Sequence, residues 1–596
     1  MKTIRNTIIA VLLGVMMTSC ETLQLGDAGL SSAPETSGAT IETLFATKKD
    51  ADKVLVTAYA NLPYGITSSF DSKMGGNVLE CITDHAHSNR TFGSDGPRNL
   101  YYTGSLGSNI SSSYAGSEAY RFASEKDYVA IRYAWLFIEN ADRIPDASAE
   151  EIAKMKAEAK LCIAIAYANM FRHVGGVPIL DHAVSTTETM KYPRNTFAET
   201  VDYIVRLCDE AKNDLPWYNT DPNEDGRMTK AAALGLKLRV LCFAASPTFN
   251  SAVSWHSEAN EYHCYGNYDA ARWKRAKDAA DEFMTELAAN GHYAMVQAAE
   301  ATPKSYRLAY RKGYYERGTT EQIISIRKDY DSDYHDDWIE KGEYVCPTLN
   351  WVNRYGWADG SDFPEDFDWE NLSAQPFFTG GSCLTGTETR DPRLYENIAV
   401  PGDYWYNENM ARVHTNHPNY RADGSGFLAM KYILQKDSDR ENVPPHWSMM
   451  RFPEILLNAA EAYNEYDGAP SEQAYGWVNS VRARVGLSPL AEGMSQAQFR
   501  EALLRERECE FGFEEFRWFD MIRYGLKDAF TEPLYGLYSE GHGGKPDNPD
   551  SFTFSTYKIP ARSWETSEWD TKWYLAPIPV NEVNKGYGMT QNPGWK

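Results

Sequence analysis

The chain has 596 residues and a mass of 67.3 kDa, long enough for roughly three or four domains or one large composite one. With 43% hydrophobic and 24% charged residues and a mean hydropathy of −0.52, it can bury an ordinary core, and a polytopic membrane protein is excluded. Lys and Arg number 59 against 83 Asp and Glu, a net charge of −24, so the cationic footprint of a nucleic-acid binder is missing.

The first nineteen residues read as an address. Lys2 and Arg5 form a positive start, and Thr7 to Met17 is an apolar run too short to span a bilayer. The run ends in Met17-Thr18-Ser19-Cys20, small residues before a cysteine as in a bacterial lipoprotein signal; a plain secretory signal is the alternative. Acylation of Cys20 with more than one chain would give stable anchoring, since each buried CH₂ contributes ~0.8 kcal/mol. Residues 20–40 are rich in Gly, Ser, Thr and Ala and read as a tether. Eight further cysteines show no CxxC spacing and no paired His, which argues against a zinc site and assigns no disulfide.

Helical patterns follow. Ser148 to Glu151 is a capping box, and Ile152, Met155, Ala159, Cys162, Ile163, Ala166 and Met170 then share one helical face up to Gly175-Gly176. Residues 196–215, 229–245 and 268–290 read as three more helices. After residue 450, Pro453 suits a first helical turn, Ala474 to Val485 makes a helix closed by Gly486, and Ser495 to Gln498 is a second capping box. The expected fold class is mainly α: a tetratricopeptide-like helix-pair scaffold carrying large loop-rich insertions that form a second subdomain. The expected regions are 41–300, with a loop excursion at 66–126, and 301–596, with a loop-rich part at 331–445, helices at 450–525 and a C-terminal tail. Residues 331–410 lack a helical period yet carry Trp338, Trp351, Trp357, Trp369 and Trp405 of the chain's 16 Trp, so they read as a functional excursion.

Several blocks, in order, resemble the SusD/RagB family of outer-membrane nutrient-binding lipoproteins. They are Gly175-Gly176-Val177-Pro178, Gly226 to Ala232, Arg451 to Leu457 with Glu461-Ala462, Asn479 with Arg482, Arg484 and Gly486, Arg505 to Gly525 with Arg517-Trp518-Phe519-Asp520, and Leu575 to Pro579 with Gln591-Asn592-Pro593-Gly594. The resemblance implies a ligand site on the two excursions. It also implies a SusC-like TonB-dependent transporter as partner, and a lipid-anchored location at the outer membrane facing the cell exterior. The charged residues of the shared blocks (Glu506, Glu510, Arg517, Asp520 and Arg523) alternate with aromatics and read as ion pairs that fix helix packing.

No nucleophile, HExxH or phosphate-loop motif appears, so no enzyme is expected. An acidic run (Asp359, Asp362, Glu365, Asp366 and Asp368) hints at calcium but lacks EF-hand spacing, and no other cofactor is indicated. Carbohydrate binding has a direct physical basis. Flat aromatic rings cover the C–H face of a sugar, while planar polar side chains satisfy its hydroxyls. The candidate ligand contacts are Asp84, Arg90, Tyr101 and Tyr102 on the first excursion and Trp338, Trp351 and Trp357 on the second. The sequence leaves open whether Trp351 is core or contact. It also leaves open a peptide ligand, or a scaffold that binds only protein.

Overall fold

The computed structural model describes residues 40–596 except 67–73, 75–76, 91–94, 110–125, 186, 190, 328–343, 372–374, 406–409, 421–423, 434–445 and 568. The leader and tether expected at 1–39, Cys20 among them, and Trp338 lie outside the described residues. No described helix is long and apolar enough to cross a membrane.

Eleven helices of seven or more residues are described: α1 (Lys48–Ala60), α2 (Asp127–Asn140), α3 (Ala149–Val174), α4 (Phe197–Ala211), α5 (Lys230–Ala245), α6 (Ala270–Asn290), α7 (Pro303–Tyr315), α8 (Phe452–Asp467), α9 (Glu472–Arg484), α10 (Gln496–Glu510) and α11 (Arg517–Arg523). Local chemistry sets their ends. Ser148 with Glu151, Thr196 with Glu199 and Ser495 with Gln498 each form a reciprocal capping box at the starts of α3, α4 and α10. Pro453 occupies the first turn of α8, and Gly468 ends it in the left-handed conformation. Successive helices pack on one another from α1 to α6, and α8 then packs on α5, α6, α9 and α10. The C-terminal helices therefore continue the stack begun by the N-terminal ones, as expected of a tetratricopeptide-like, mainly α fold. α5 is covered almost all round. A Cβ on Gly235 would come within 2.5 Å of Met450 Sδ, so glycine lets α5 approach the segment leading into α8.

Among the described residues eight short strands form four antiparallel pairs: β1 (Ala86–Ser88) with β3 (Val345–Pro347), β2 (Gln322–Ile326) with β6 (Trp447–Arg451), β4 (Ile398–Ala399) with β5 (Leu428–Ala429), and β7 (Tyr535–His542) with β8 (Ser551–Lys558). The eight described cysteines carry free thiols. Cys162, Cys208, Cys242 and Cys509 are buried in helices, where a thiol packs as a small hydrophobe.

The charged residues of the shared blocks are buried more deeply than a half-buried surface pair would be. Arg451 bonds Glu321 and Glu510 at 3.0 Å each and Glu514 at 2.7 Å. Arg484 bonds Glu321 at 3.0 Å and Glu510 at 2.5 Å. Arg393 bonds Glu506 at 2.5 Å, Asp391 at 2.8 Å and Glu510 at 3.2 Å, and Lys431 bonds Glu514 at 2.5 Å. Beside this network Asp520 bonds Arg507 at 2.8 Å and Arg523 at 2.7 Å, and Arg523 also pairs with Glu461.

Glu510 tests the network. Burial opposes its ionisation, but Arg484, Arg451 and Arg393 bring its carboxyl down to about 2 from the ordinary 4.5. A value depressed in the folded state contributes stability that is fully present above pH 4.5 and is lost as pH falls through about 2. Glu510→Gln leaves buried guanidinium groups short of charge and is expected to cost about 3–5 kcal/mol near neutral pH. Urea-unfolding midpoints at stepped pH check this: the deficit narrows between pH 4.5 and 2, and a deficit flat across that window refutes the assignment.

Candidate functional site

The two excursions, far apart in sequence, are joined by β1 and β3. Ala86 pairs with Pro347, His87 with Cys346 and Ser88 with Val345. The joint extends at both ends: Asn89 N–H donates to the Tyr344 carbonyl at 2.9 Å, and Thr348 N–H donates to the His85 carbonyl at 2.8 Å. Charges lock it to the scaffold. Asp84 accepts two bonds from Arg517, at 2.8 and 2.6 Å, and Arg517 also bonds Glu508 at 2.6 Å. The other oxygen of Glu508 accepts from Arg354 of the second excursion at 2.8 Å. Burial disfavours both carboxylates, yet the neighbouring guanidinium groups hold each below its usual value.

This geometry corrects several expectations. Trp351 is 1% exposed; its ring stacks on His85 at 4.4 Å with planes 4° apart, and its Nε1–H donates to the Glu508 carbonyl at 3.3 Å. It is a core residue because His85, just before β1, covers one face, and because Gly512 leaves the ring room where a Cβ would come within 2.5 Å of Trp351 Cζ2. Tyr101 is also core, 5% exposed and packed on Trp573. Tyr102 is half-buried; its ring stacks on His87 at 4.8 Å, and its hydroxyl donates to the Cys81 carbonyl and accepts from Ser88 N–H. Asp84 holds structure through Arg517 rather than offering a free carboxylate. Arg90 is half-buried just beyond β1, with its N–H bonded to Ser88 Oγ and its carbonyl to Arg98. Trp369 and Trp405 are buried as well.

Trp357 differs. It is half-buried and lines a cavity of about 850 Å³ between the 354–365 loop, the α9–α10 connection and α10. Its N–H donates to the Ser361 carbonyl at 2.8 Å, which closes a tight loop. Gly360 sits at the turn with φ +91°, where a Cβ would strike Ser488 N at 2.5 Å. Arg482 clamps the loop by donating to the carbonyls of Gly360 at 3.0 Å and Ser488 at 2.8 Å. The Trp357 ring rests on Phe363 (5.0 Å) and beside the Arg390 guanidinium (5.5 Å). Burial lowers the Arg390 pKa to about 9, and its guanidinium N–H groups donate to the carbonyls of Val352 and Tyr355.

The other walls are polar. Arg354, Arg482 and Arg505 line the cavity already paired, with Glu508, Glu506 and Asp362. Asp359, Glu365, Glu492 and Glu501 are exposed at the lining, with Ser361, Ser488 and Gln498 among them. Of the acidic run, Asp359 bonds the Ser361 hydroxyl and N–H, which lowers its pKa, and Asp362 pairs with Arg505. No group of three or more His, Cys, Asp or Glu suited to a metal occurs among the described residues.

Two family models match this chain: one described as the SusD family over residues 307–595, and one described as starch-binding and associating with the outer membrane over residues 87–241. The chain is a member of the SusD-like family. Among similar curated proteins are SusD-like protein P38 of Formosa agariphila, 24% identical over 69% of this chain and 73% of that one, and SusD-like protein P2 of the same organism, 24% identical over 68% and 72%. A solved SusD-like protein from Bacteroides fragilis is 21% identical, covers 93% of this chain and 98% of its own, and superposes with a TM-score of 0.68. Surface glycan-binding protein A from Bacteroides uniformis is 16% identical, covers 92% and 99%, and gives a TM-score of 0.55. SusD-like proteins are binding proteins rather than enzymes, and the family description ties them to the outer membrane.

Sequence reasoning missed one aromatic surface of this SusD-like chain, made of the exposed Tyr538 and the half-buried Tyr557. Tyr538 and Tyr557 stack on the β7–β8 hairpin with centroids 4.1 Å apart. The alternation of Leu537, Ser539 and Gly541 with Tyr538, Glu540 and His542 was the available signal.

The Asp84–Arg517 lock gives a test. Asp84→Ala is expected to raise amide hydrogen exchange across residues 77–90 at least about tenfold, with α3 and α5 unchanged. Exchange that stays at the wild-type rate in 77–90 contradicts the lock.

Proposed function

We propose that this SusD-like protein captures glycans at the cell surface, tethered through Cys20 at the outer membrane and facing the exterior, and hands them to a SusC-like TonB-dependent transporter. The observation that carries the reading is Trp357, a ring mounted on a clamped loop at a large cavity rich in hydrogen-bonding groups. The family description and the glycan-binding name of one structural neighbour support carbohydrate as the ligand class.

The charge pattern narrows the ligand. Every arginine on the cavity wall is paired with an acid at the lining or just behind it, Arg393 being fully buried among Asp391, Glu506 and Glu510. An anionic ligand would have to displace those partners and face the exposed carboxylates of Asp359, Glu365, Glu492 and Glu501. A neutral polyhydroxylated ligand instead meets donors and acceptors that already have their charges balanced. The favoured ligand is therefore a neutral glycan rather than a uronate-rich or sulfated one. The lipoprotein and its transporter holding one glycan chain together raise effective concentration, so modest affinity for each part suffices.

Trp357→Ala is expected to weaken glycan binding by about tenfold in calorimetry, with the fold retained because Phe363, Phe367 and Trp369 still pack beneath the loop. Unchanged affinity removes Trp357 from the site. Absence of any glycan binding by the wild type at millimolar ligand, with peptide bound instead, overturns the carbohydrate reading. Protease treatment of intact cells tests orientation: a chain cut only after lysis faces the periplasm.

A further inference from the structure

A second surface stands apart from the cavity. In the β7–β8 hairpin, Leu537, Ser539, Phe552 and Phe554 are buried, with Phe554 packed against Phe377 and edge-on to Trp369. The opposite face presents Tyr538, Glu540 and His542 beside Ser551, Thr553, Ser555 and Tyr557, in the register Gly536 to Tyr557, Tyr538 to Ser555, Glu540 to Thr553 and His542 to Ser551. Tyr538 is 45% exposed.

This face is built rather than incidental. A Cβ on Gly536 would lie 2.5 Å from Tyr557 Cζ, so glycine lets the Tyr557 ring lie flat across the strand. Tyr538 then stacks on that ring, tilted by 26°. The hairpin itself is held still. Asn350 of the second excursion bonds the Pro533 carbonyl at 3.1 Å and Tyr535 N–H at 2.8 Å, and Asn416 bonds the Gly541 carbonyl at 2.7 Å. Hydrogen-bonding groups flank the rings, among them His542 Nε2 at 2.8 Å from Thr553 Oγ1.

We propose that the outward face of the β7–β8 hairpin, centred on the Tyr538–Tyr557 pair, is a second saccharide-contact surface that holds the extended part of a polysaccharide chain. The occupant follows from the chemistry. The stacked pair holds the Tyr538 ring in a fixed, exposed orientation that matches the apolar C–H face of a sugar unit, and the flanking hydroxyls, carboxylate and imidazole match the edges of that unit and its neighbours. A protein partner would ask for a wider apolar centre than two rings amid polar groups. A nucleic acid would ask for cations, and the face carries no Lys or Arg. The surface and the candidate site share a support, because the same second excursion that carries Trp357 also anchors the hairpin through Asn350.

The proposal rests on the glycan reading, and the test keeps the two separable. Full mature protein is run through native gels containing each of a panel of neutral polysaccharides (starch, xylan, mannan, β-glucan). The polysaccharide that retards it is then compared with its own tetrasaccharide by calorimetry. The Tyr538→Ala/Tyr557→Ala variant is expected to lose about tenfold or more in polysaccharide affinity and less than about twofold for the tetrasaccharide, whereas Trp357→Ala weakens both. Tyr538→Phe keeps the ring and is expected to retain binding. Polysaccharide affinity unchanged in the double variant overturns the second surface and leaves the cavity reading standing. The same holds if the double variant loses only co-purification with the transporter, since the face is then a protein interface. A wild type retarded by no polysaccharide overturns both readings together.

Discussion

The arrangement depends on a set of charges sealed away from water. Arg393, Lys431, Arg451 and Arg484 face Glu321, Asp391, Glu506, Glu510 and Glu514 with almost no solvent contact. Charges buried this deeply persist only when each is met by opposite charge and by hydrogen bonds, because desolvating an ion costs several kcal/mol. The members come from separate parts of the chain: the residue before β2, the loop-rich part at 331–445, the ends of β6 and α9, α10 and the turn that follows it. Removing one leaves the others uncompensated, so the network welds the loop-rich segment to the helical stack. Its effect on titration is uneven, as expected of ions sharing partners: burial keeps Glu321 above its usual pKa while three arginines pull Glu510 below.

A binding surface made of loops needs that rigidity. The Trp357 loop is clamped by Arg482, and Arg482 also bonds Glu506, which bonds Arg393. The cavity wall is therefore an outer layer of the same charge network. The Asp84, Arg517, Glu508 and Arg354 chain does the same for the first excursion. Rings held in this way lose little conformational freedom when a ligand arrives, which favours capture.

Much of the scaffold was legible because its signals are local. Ser148 with Glu151 and Ser495 with Gln498 announce helix starts within four residues, and Pro453 announces another. Non-local features were not legible. Nothing near Trp351 says that His85, on the other excursion, will cover its ring, so the sequence leaves Trp351 open between core and contact until the β1–β3 pairing brings His85 onto it. Tyr101 looked like a loop ring and is core because the C-terminal Trp573 packs on it. Five charged residues (Glu506, Glu510, Arg517, Asp520 and Arg523) could be assigned to packing from their aromatic neighbours, but the depth of burial of the network depends on partners such as Glu321 and Arg393 that no motif marks. The hairpin's period of two was visible in principle, but glycine and serine on its buried face weakened the apolar pattern.

The three-residue ladder between β1 and β3 has an evolutionary corollary. Because each insertion supplies half of the other's support, neither can be exchanged alone between homologues without orphaning backbone groups and exposing the His85–Trp351 stack. Ligand preference in this architecture should then drift as a linked pair of cassettes, and a chimera would need to import both together with the acid–arginine relay that seats them.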